Sequence, residues 1–459
     1  MNRDPDSEPA VVPFKEFFAV LGYAVFCLTF MLGAVEGGSW LVWRVYRRLP
    51  SPDQTLKVKT VGSAQARTPD ARGKQFIRVP SDVWTERMGG GASYQKWIDQ
   101  MSAGTAYAGM DWADEFWTLE RQRLARLSYP YEPFRVWGMV KWKGKFVNND
   151  QTELGVLRRT VNATNSACSG HPPFRVWVFG GSTVWGLGAP DSETMPSQLA
   201  RQINAAGKAC VEVTNFGVDA YVTSQELIFL IQELKVGYRP AIVIFCDGVN
   251  DAYVGGVVRL PGSHNYFLPI KMAFETGGSI WSKLKEKSNF LRLVRALRKR
   301  LEPSNSEGAG PSPQTKATVD NYEANIAIAR NLGEKYGFKT WFFWQPMLLY
   351  GKKPLDPFEQ ALFEESVSQD RDNSESEMYV ALRAVYQEAE NRSKASGNFV
   401  FLGHLFDDVR EPIYIDWMHL GPRGNEILAA AIAAQVQSAM MNPEETSSTP
   451  PKEKDKGDH

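Results

Sequence analysis

A chain of 459 residues, 43% apolar and 12% aromatic, can bury one large core or two ordinary ones. Its 52 basic and 52 acidic side chains cancel, which leaves no electrostatic footprint for nucleic acid or another polyanion. The four cysteines (Cys27, Cys168, Cys210, Cys246) include no CxxC pair and the 5 histidines no metal-ligand spacing, so neither a metal nor a cofactor is expected.

In chain order, residues 1–16 form a polar arm and 17–43 a membrane anchor. Positions 17–35 carry no charge, and as a helix they rise roughly 28 Å, near the thickness of a bilayer's hydrocarbon core. Trp40 and Trp43 follow where interfacial aromatics belong, then Arg44, Arg47 and Arg48. The acidic start (Asp4, Asp6, Glu8) and the long apolar run argue for an uncleaved single-pass anchor over a signal peptide. Glu36 beside the span fits an interface or a partner helix. Only Arg3 and Lys15 precede the span, whereas Arg44, Arg47, Arg48, Lys57 and Lys59 follow it. That balance would keep the large domain in the cytoplasm.

Residues 44–73 read as a linker and 74–171 as a tryptophan-rich accessory lobe (Trp84, Trp97, Trp112, Trp117, Trp137, Trp142). Within the lobe, 111–127 has helical spacing and 143–149 looks like strand and turn. No catalytic constellation is visible there, and its tryptophans read as packing. From 172 to 440 the pattern alternates. Apolar runs at 174–179, 211–216, 241–246, 339–344 and 398–402 are separated by helical segments near 194–205, 223–236, 319–337 and 377–396, and a helix at 424–440 closes the series. Near-continuous apolar strands alternating with helices predict an α/β fold, a doubly wound five-stranded parallel sheet covered on both faces. An insertion, 252–318, separates the third and fourth strands. Its basic stretch 282–301 has one apolar helical face, suited either to docking on the domain or to a membrane surface or partner. Residues 304–315 read as a loop, and 441–459 as a polar, disordered tail. Cys168 and Cys210 each lie just before one of the first two core strands. If those strands are parallel neighbours, the two cysteines meet at one sheet edge as a disulfide, which would favour an extracytoplasmic domain; two buried free thiols are the alternative. Cys246, inside its strand, is expected to be free.

The segment VFGGSTVWG at 178–186 places Ser182 on a glycine-flanked turn directly after the first core strand. Glycines let the backbone turn sharply and leave the hydroxyl exposed, as a nucleophile requires. GSTVWGLG lacks the Lys-Ser/Thr of a phosphate loop, and Asp191 stands where a dinucleotide fingerprint needs a third glycine. NFG (215–217) ends the second apolar run, DGVND (247–251) the third, and DWMHL (416–420) follows the fifth. Doubly wound sheets bind ligands beyond the C-terminal ends of their strands, so these segments converge on one edge.

Ser182, Gly217, Asn250 and His419, in that order and with Asp416 three residues before His419, resemble the four blocks of the SGNH (GDSL-type) hydrolases, over roughly 172–438. The first block reads GGST instead of GDS, a variant found in membrane-anchored members. The lobe's Tyr131-Glu132-Pro133 and Gly155 to Thr160, with PDSETMPSQL, YVTSQELIFL and WQP, also resemble that branch. The resemblance implies a flavodoxin-like core, Ser182 as nucleophile, His419 as base, Asp416 as its orienting acid, and an oxyanion hole of the Ser182 and Gly217 N–H groups and the Asn250 amide. Asp251 is expected to be a turn residue. The implied activity is cleavage of acyl esters, acetyl above all, on envelope glycans or lipids. The alternative is acetyl transfer within a polysaccharide modification or export assembly, which needs a membrane-spanning acyltransferase partner. The branch implies an inner-membrane protein with its catalytic domain outside the cytoplasm.

Overall fold

The computed structural model describes residues 91–162, 172–207, 210–268, 270–271, 311–367 and 376–441. Nearly all of them fall in the larger of two compact units, Val61–Leu268 with Ala309–His459. The expected anchor at 17–43, the linker, most of the insertion with its basic stretch 282–301, and the tail lie outside the described residues. Among the described residues no helix is long and apolar enough to cross a membrane.

The lobe contributes helix α1 (Gly91–Ser102), a 3₁₀ turn (Thr105–Tyr107), helix α2 (Ala113–Leu124), and short strands β1 (Tyr131–Glu132), β2 (Val136–Trp137), β3 (Trp142–Lys143), β4 (Asn148–Thr152) and β5 (Gly155–Arg158). The core then runs β6 (Phe174–Gly180), α3 (Ser182–Trp185), α4 (Met195–Ala205), β7 (Val211–Gly217), α5 (Thr223–Lys235), β8 (Ile242–Asp247) and α6 (Val249–Ala252). It continues with α7 (Pro313–Tyr336), β9 (Lys339–Trp344), α8 (Pro357–Val367), α9 (Glu377–Ser396), β10 (Val400–Phe401) and α10 (Pro422–Met441). Helix α7 begins six residues before the expected 319, inside the expected loop. Ser312 accepts a bond from the Thr315 N–H and Pro313 occupies the first turn, a strong start signal.

Five strands are parallel in the order β7-β6-β8-β9-β10, the flavodoxin-like order of a doubly wound sheet. The sheet does not stop at five. Strands β5, β4 and β3 extend it antiparallel beyond β7, giving an eight-stranded mixed sheet. The expectation of a purely parallel sheet fails because the lobe covers the edge of β7, whose backbone groups would otherwise lie unpaired.

Each sheet face buries a different surface. On one, Val176, Val178 and Ile244 pack with Leu199 and Ile203 of α4 and Leu428 and Ile432 of α10. On the other, Phe216, Phe179, Phe245 and Phe342 form a stacked ladder across β7, β6, β8 and β9, with centroids 4.6, 5.3 and 5.1 Å apart. Each such pair adds about 0.5–1.5 kcal/mol beyond its area. Parallel register places Gly180 opposite both Gly217 and Cys246, so three strands end side by side.

Asp191 ties lobe to core. Its carboxylate receives Arg158 Nε at 2.8 Å and the Asn148 N–H and amide at 3.0 and 2.6 Å, all buried. The same guanidinium lies 4.4 Å over the ring of Trp185, three residues after Ser182 in α3. Removing one partner of a buried, hydrogen-bonded ion pair strands the other charge. Asp191→Ala should therefore destabilise the domain by about 3–5 kcal/mol, read as a loss of melting temperature; an unchanged melting curve would refute this role.

A second polar cluster is costly. Glu226 of α5 and Asp247 at the end of β8 are buried and face each other, and none of their four oxygens has a hydrogen bond of standard geometry. Burial pushes both carboxyls up, with the charge of Asp247 adding to the rise at Glu226 and that of Asp251 to the rise at Asp247, and burial raises Asp251 itself to about 6. The folded chain thus holds protons that an unfolded chain, with carboxyl pKa near ~4, would release. The sign follows: stability is highest near the unfolded value and falls as pH rises through the folded ones. Glu226→Gln removes one charge and offers Asp247 an amide donor. It should raise the melting temperature at pH 8 and flatten its decline between pH 5 and 8; equal slopes in calorimetry would contradict this.

Candidate active site

The turn after β6 presents Ser182 at the start of α3, where a first-turn N–H has no acceptor within its helix. The Asn250 amide sets the geometry before it. A Cβ at Gly181 would lie 2.4 Å from Asn250 Nδ2, so the second glycine of GGST makes room for that amide. The amide also donates to the Tyr221 carbonyl at 2.9 Å, which leaves its second hydrogen available.

His419 arrives from the loop between β10 and α10. A bridge pairs Tyr414 with Leu420, and the Ile415 N–H donates to the His419 carbonyl at 3.0 Å. Within that tight loop, Asp416 Oδ1 accepts the N–H groups of Met418 and His419 at 2.8 and 2.7 Å. This is the local side-chain turn that Asp favours, and it explains the three-residue spacing: one oxygen closes the turn while the other faces the ring. His419 Nδ1 lies 2.7 Å from Asp416 Oδ2, and His419 Nε2 lies 2.7 Å from Ser182 Oγ. Ser182, His419 and Asp416, as read from the sequence, come together in one hydrogen-bonded line. Glu359 of α8 braces the loop from beneath, accepting the Ile413 and Tyr414 N–H groups at 2.9 and 3.1 Å.

Gly217 is different. Its N–H donates to Asn215 Oδ1 at 2.8 Å, and is therefore committed rather than turned to the serine. A Cβ there would lie 2.2 Å from the Trp185 nitrogen. Glycine is required because α3 packs directly on the end of β7, not because a substrate carbonyl approaches. Asn215, buried, also donates to the Val184 carbonyl at 2.9 Å; the asparagine of NFG is the structural residue that the sequence reading passed over. Beyond it, Ala220 sits at a φ of 59°, with its carbonyl held by Asn265 Nδ2 at 2.7 Å.

One lobe residue reaches the site. Trp97 Nε1 donates to Asp416 Oδ2 at 2.9 Å, and its ring centroid lies 6.2 Å from that of His419. The expectation that the lobe's tryptophans only pack holds for Trp117 and Trp137, both buried, but not for Trp97. Asp251 accepts the Thr223 N–H and hydroxyl at 3.2 and 2.8 Å and anchors the start of α5, a structural position.

Burial alone would raise the Asp416 carboxyl, but facing His419 and accepting two backbone N–H groups hold it below the ordinary carboxylate range. It therefore stays ionised beside the imidazole. Asp219, in the loop after β7, goes the other way: burial raises it despite a bond from the Tyr129 hydroxyl at 2.6 Å. Among the described residues no group of His, Cys, Asp and Glu is arranged to hold a metal. Cys246 is free and buried. Cys210 is disulfide-bonded, and its expected partner Cys168 lies outside the described residues.

No family model matches the chain, and no curated protein does. Among solved structures, a carbohydrate acetylesterase from Sinorhizobium meliloti is 15% identical, covering 58% of this chain and 99% of that one, with a TM-score of 0.31. A lipase/acylhydrolase from Enterococcus faecalis is 16% identical over 58% and 96%, with a TM-score of 0.32. An acetylxylan esterase from Geobacillus stearothermophilus is 16% identical over 57% and 94%, with a TM-score of 0.29. At identities and scores this low, what the chain does has to be argued from its own site.

Proposed function

We propose that this protein is a serine ester hydrolase that removes acyl, above all acetyl, groups from envelope glycans or lipids. The observation that carries the reading is the unbroken line Ser182 Oγ, His419, Asp416, with both contacts at 2.7 Å. A serine hydroxyl is a weak nucleophile near neutral pH and needs a positioned base. His419 Nε2 takes the Ser182 proton as Oγ attacks the ester carbonyl, then returns it to the departing alcohol. Asp416, ionised, holds the imidazole tautomer and stabilises the imidazolium. Water then attacks the acyl-serine with His419 again as base, releasing the acid and the free enzyme.

The tetrahedral oxyanion needs donors fixed in advance. The Ser182 N–H and the free hydrogen of the Asn250 amide supply two. We assign the third to the Ala220 N–H instead of that of Gly217. Holding a non-glycine residue in the left-handed region costs roughly 1–2 kcal/mol, and such strain gathers at functional sites. The loop that bears it is pinned by Asn265 and adjoins Asn250 through the Tyr221 carbonyl.

The reading places the catalytic domain outside the cytoplasm, tethered to the inner membrane by residues 17–43. The disulfide at Cys210 supports it, against the charge balance around the span. With the same triad, a sugar hydroxyl replacing water would make the protein an acetyltransferase working with a membrane acyltransferase. An acetyl-ester panel with and without a glycan acceptor separates the two: free acetate marks hydrolysis, acetylated sugar marks transfer.

Ser182→Ala should abolish ester turnover with little change in melting temperature, and a fluorophosphonate probe should label the wild type at Ser182 only. Full activity in the variant, or labelling elsewhere, would sink the assignment. Asn250→Ala should lower kcat by roughly two to three orders of magnitude. A change confined to KM would instead make Asn250 a substrate-binding residue.

A further inference from the structure

We infer that Trp97 is a positioning residue for the catalytic base, so that the acid of the triad is completed by the accessory lobe. The inference rests on the esterase reading for its kinetic meaning and on geometry for its substance. Asp416 has four donors. Three come from its own loop: the Met418 and His419 N–H groups on Oδ1 and His419 Nδ1 on Oδ2. The fourth, Trp97 Nε1 at 2.9 Å on Oδ2, comes from a residue 319 positions away in the chain. An acceptor oxygen that bonds to both an imidazole and an indole has its two lone-pair directions filled, so the carboxylate cannot rotate away from the ring. The indole also shares the charge on the very oxygen that faces the imidazolium. A hydrogen bond to an ionised acceptor is stronger than one between neutral groups, enough to matter to a proton transfer.

The indole's reach is built, not incidental. Helix α1 buries Ile98 and Met101, one and four positions beyond Trp97. Lys96 Nζ and Gln100 Nε2 both bond to Glu365 of α8, at 2.7 and 2.9 Å, and Thr105 donates to Asp356 just before α8, at 2.7 Å. Helix α8 is also where Glu359 holds the backbone of the catalytic loop. One helix therefore sets both the donor and the acceptor of the Trp97–Asp416 bond. The other titratable groups that face this pair are Asp219, from the loop after β7, whose carboxyl interacts with His419, and Tyr107, from the 3₁₀ turn, whose raised hydroxyl interacts with Asp416 and donates to the Gly188 carbonyl. Neither is displaced by a change confined to the indole.

The test is Trp97→Phe in the full chain, which keeps a ring and loses the donor. Without the indole, Asp416 Oδ2 attracts the imidazolium more strongly and is held less firmly. The rising limb of the kcat/KM profile should move up by about half a pH unit. At its plateau kcat should fall about three- to tenfold with KM changed less than about twofold. The far-downfield proton on His419 Nδ1, seen by NMR without any turnover, should shift further downfield. A variant that only melts earlier, with profile, kcat and proton resonance unmoved, would reduce Trp97 to packing and overturn the inference. If wild-type Ser182 resists the fluorophosphonate, the esterase reading fails, while the proton resonance still decides whether Trp97 acts on Asp416.

Discussion

The site depends on three parallel strands ending in the same register. Gly180 of β6 lies opposite Gly217 of β7 and Cys246 of β8, so the chain leaves the sheet three times within one narrow edge. The first exit carries Ser182, the second the 218–221 loop, the third Asn250. Two further contacts then become possible: the Asn250 amide fills the space a Cβ would take at Gly181, and the backbone of α3 sits where a Cβ would be at Gly217. A one-residue slip of β7 would turn its side chains to the wrong faces, and the ladder Phe216–Phe179–Phe245–Phe342 opposes such a slip by pairing rings of matched register across four strands.

Much of this arrangement was legible in the sequence because its signals are local. Apolar runs bounded by glycine and helical periods between them are short-range patterns, and they locate the five parallel strands to within a residue or two, except β10, which is shorter than its apolar run. The DWMHL spacing is local too, since Asp416 folds back on the N–H groups of the next turn. What escaped is non-local. Beyond the strand and turn read at 143–149, strands β3, β4 and β5 are short and polar in part (Asn148–Thr152 reads NNDQT), and nothing local shows that they join the core sheet through β7. The sequence shows a tryptophan at 97, yet nothing near it announces an acceptor 319 positions away. The role of Gly217 was misjudged for the same reason: a glycine in a motif does not say whether it makes room for a ligand or for another piece of backbone.

Buried charge is used unevenly around the site. Asp191 is well matched, accepting Arg158 Nε and two Asn148 donors, while Arg158 keeps one buried guanidinium nitrogen without a hydrogen-bond acceptor. Glu226 and Asp247 are not, and their partial neutrality is what makes their burial tolerable. Asp247 ends β8 three residues before Asn250, and burial favours a shared proton on the pair. A carboxyl pair there offers no advantage in stability over a neutral one. Its place near Asn250 fits the general pattern in which local energetic concessions collect near sites of chemistry.

The lobe is therefore part of the active-site architecture in two separate ways. Its strand β5 pairs with β7, and Arg158 reaches from β5 to Asp191 and to the ring of Trp185, three residues after Ser182. Its first helix reaches the opposite end of the triad and supplies Asp416 with its last donor. Asp416 and the helix that begins at Ser182 are thus each contacted by the same segment of chain, which precedes the whole α/β core in sequence. The line from Ser182 to Asp416 takes outer hydrogen bonds from two sources, Glu359 of the core beneath the 413–414 backbone and Trp97 of the lobe on Asp416, so a shift of the lobe changes the Asp416 end directly.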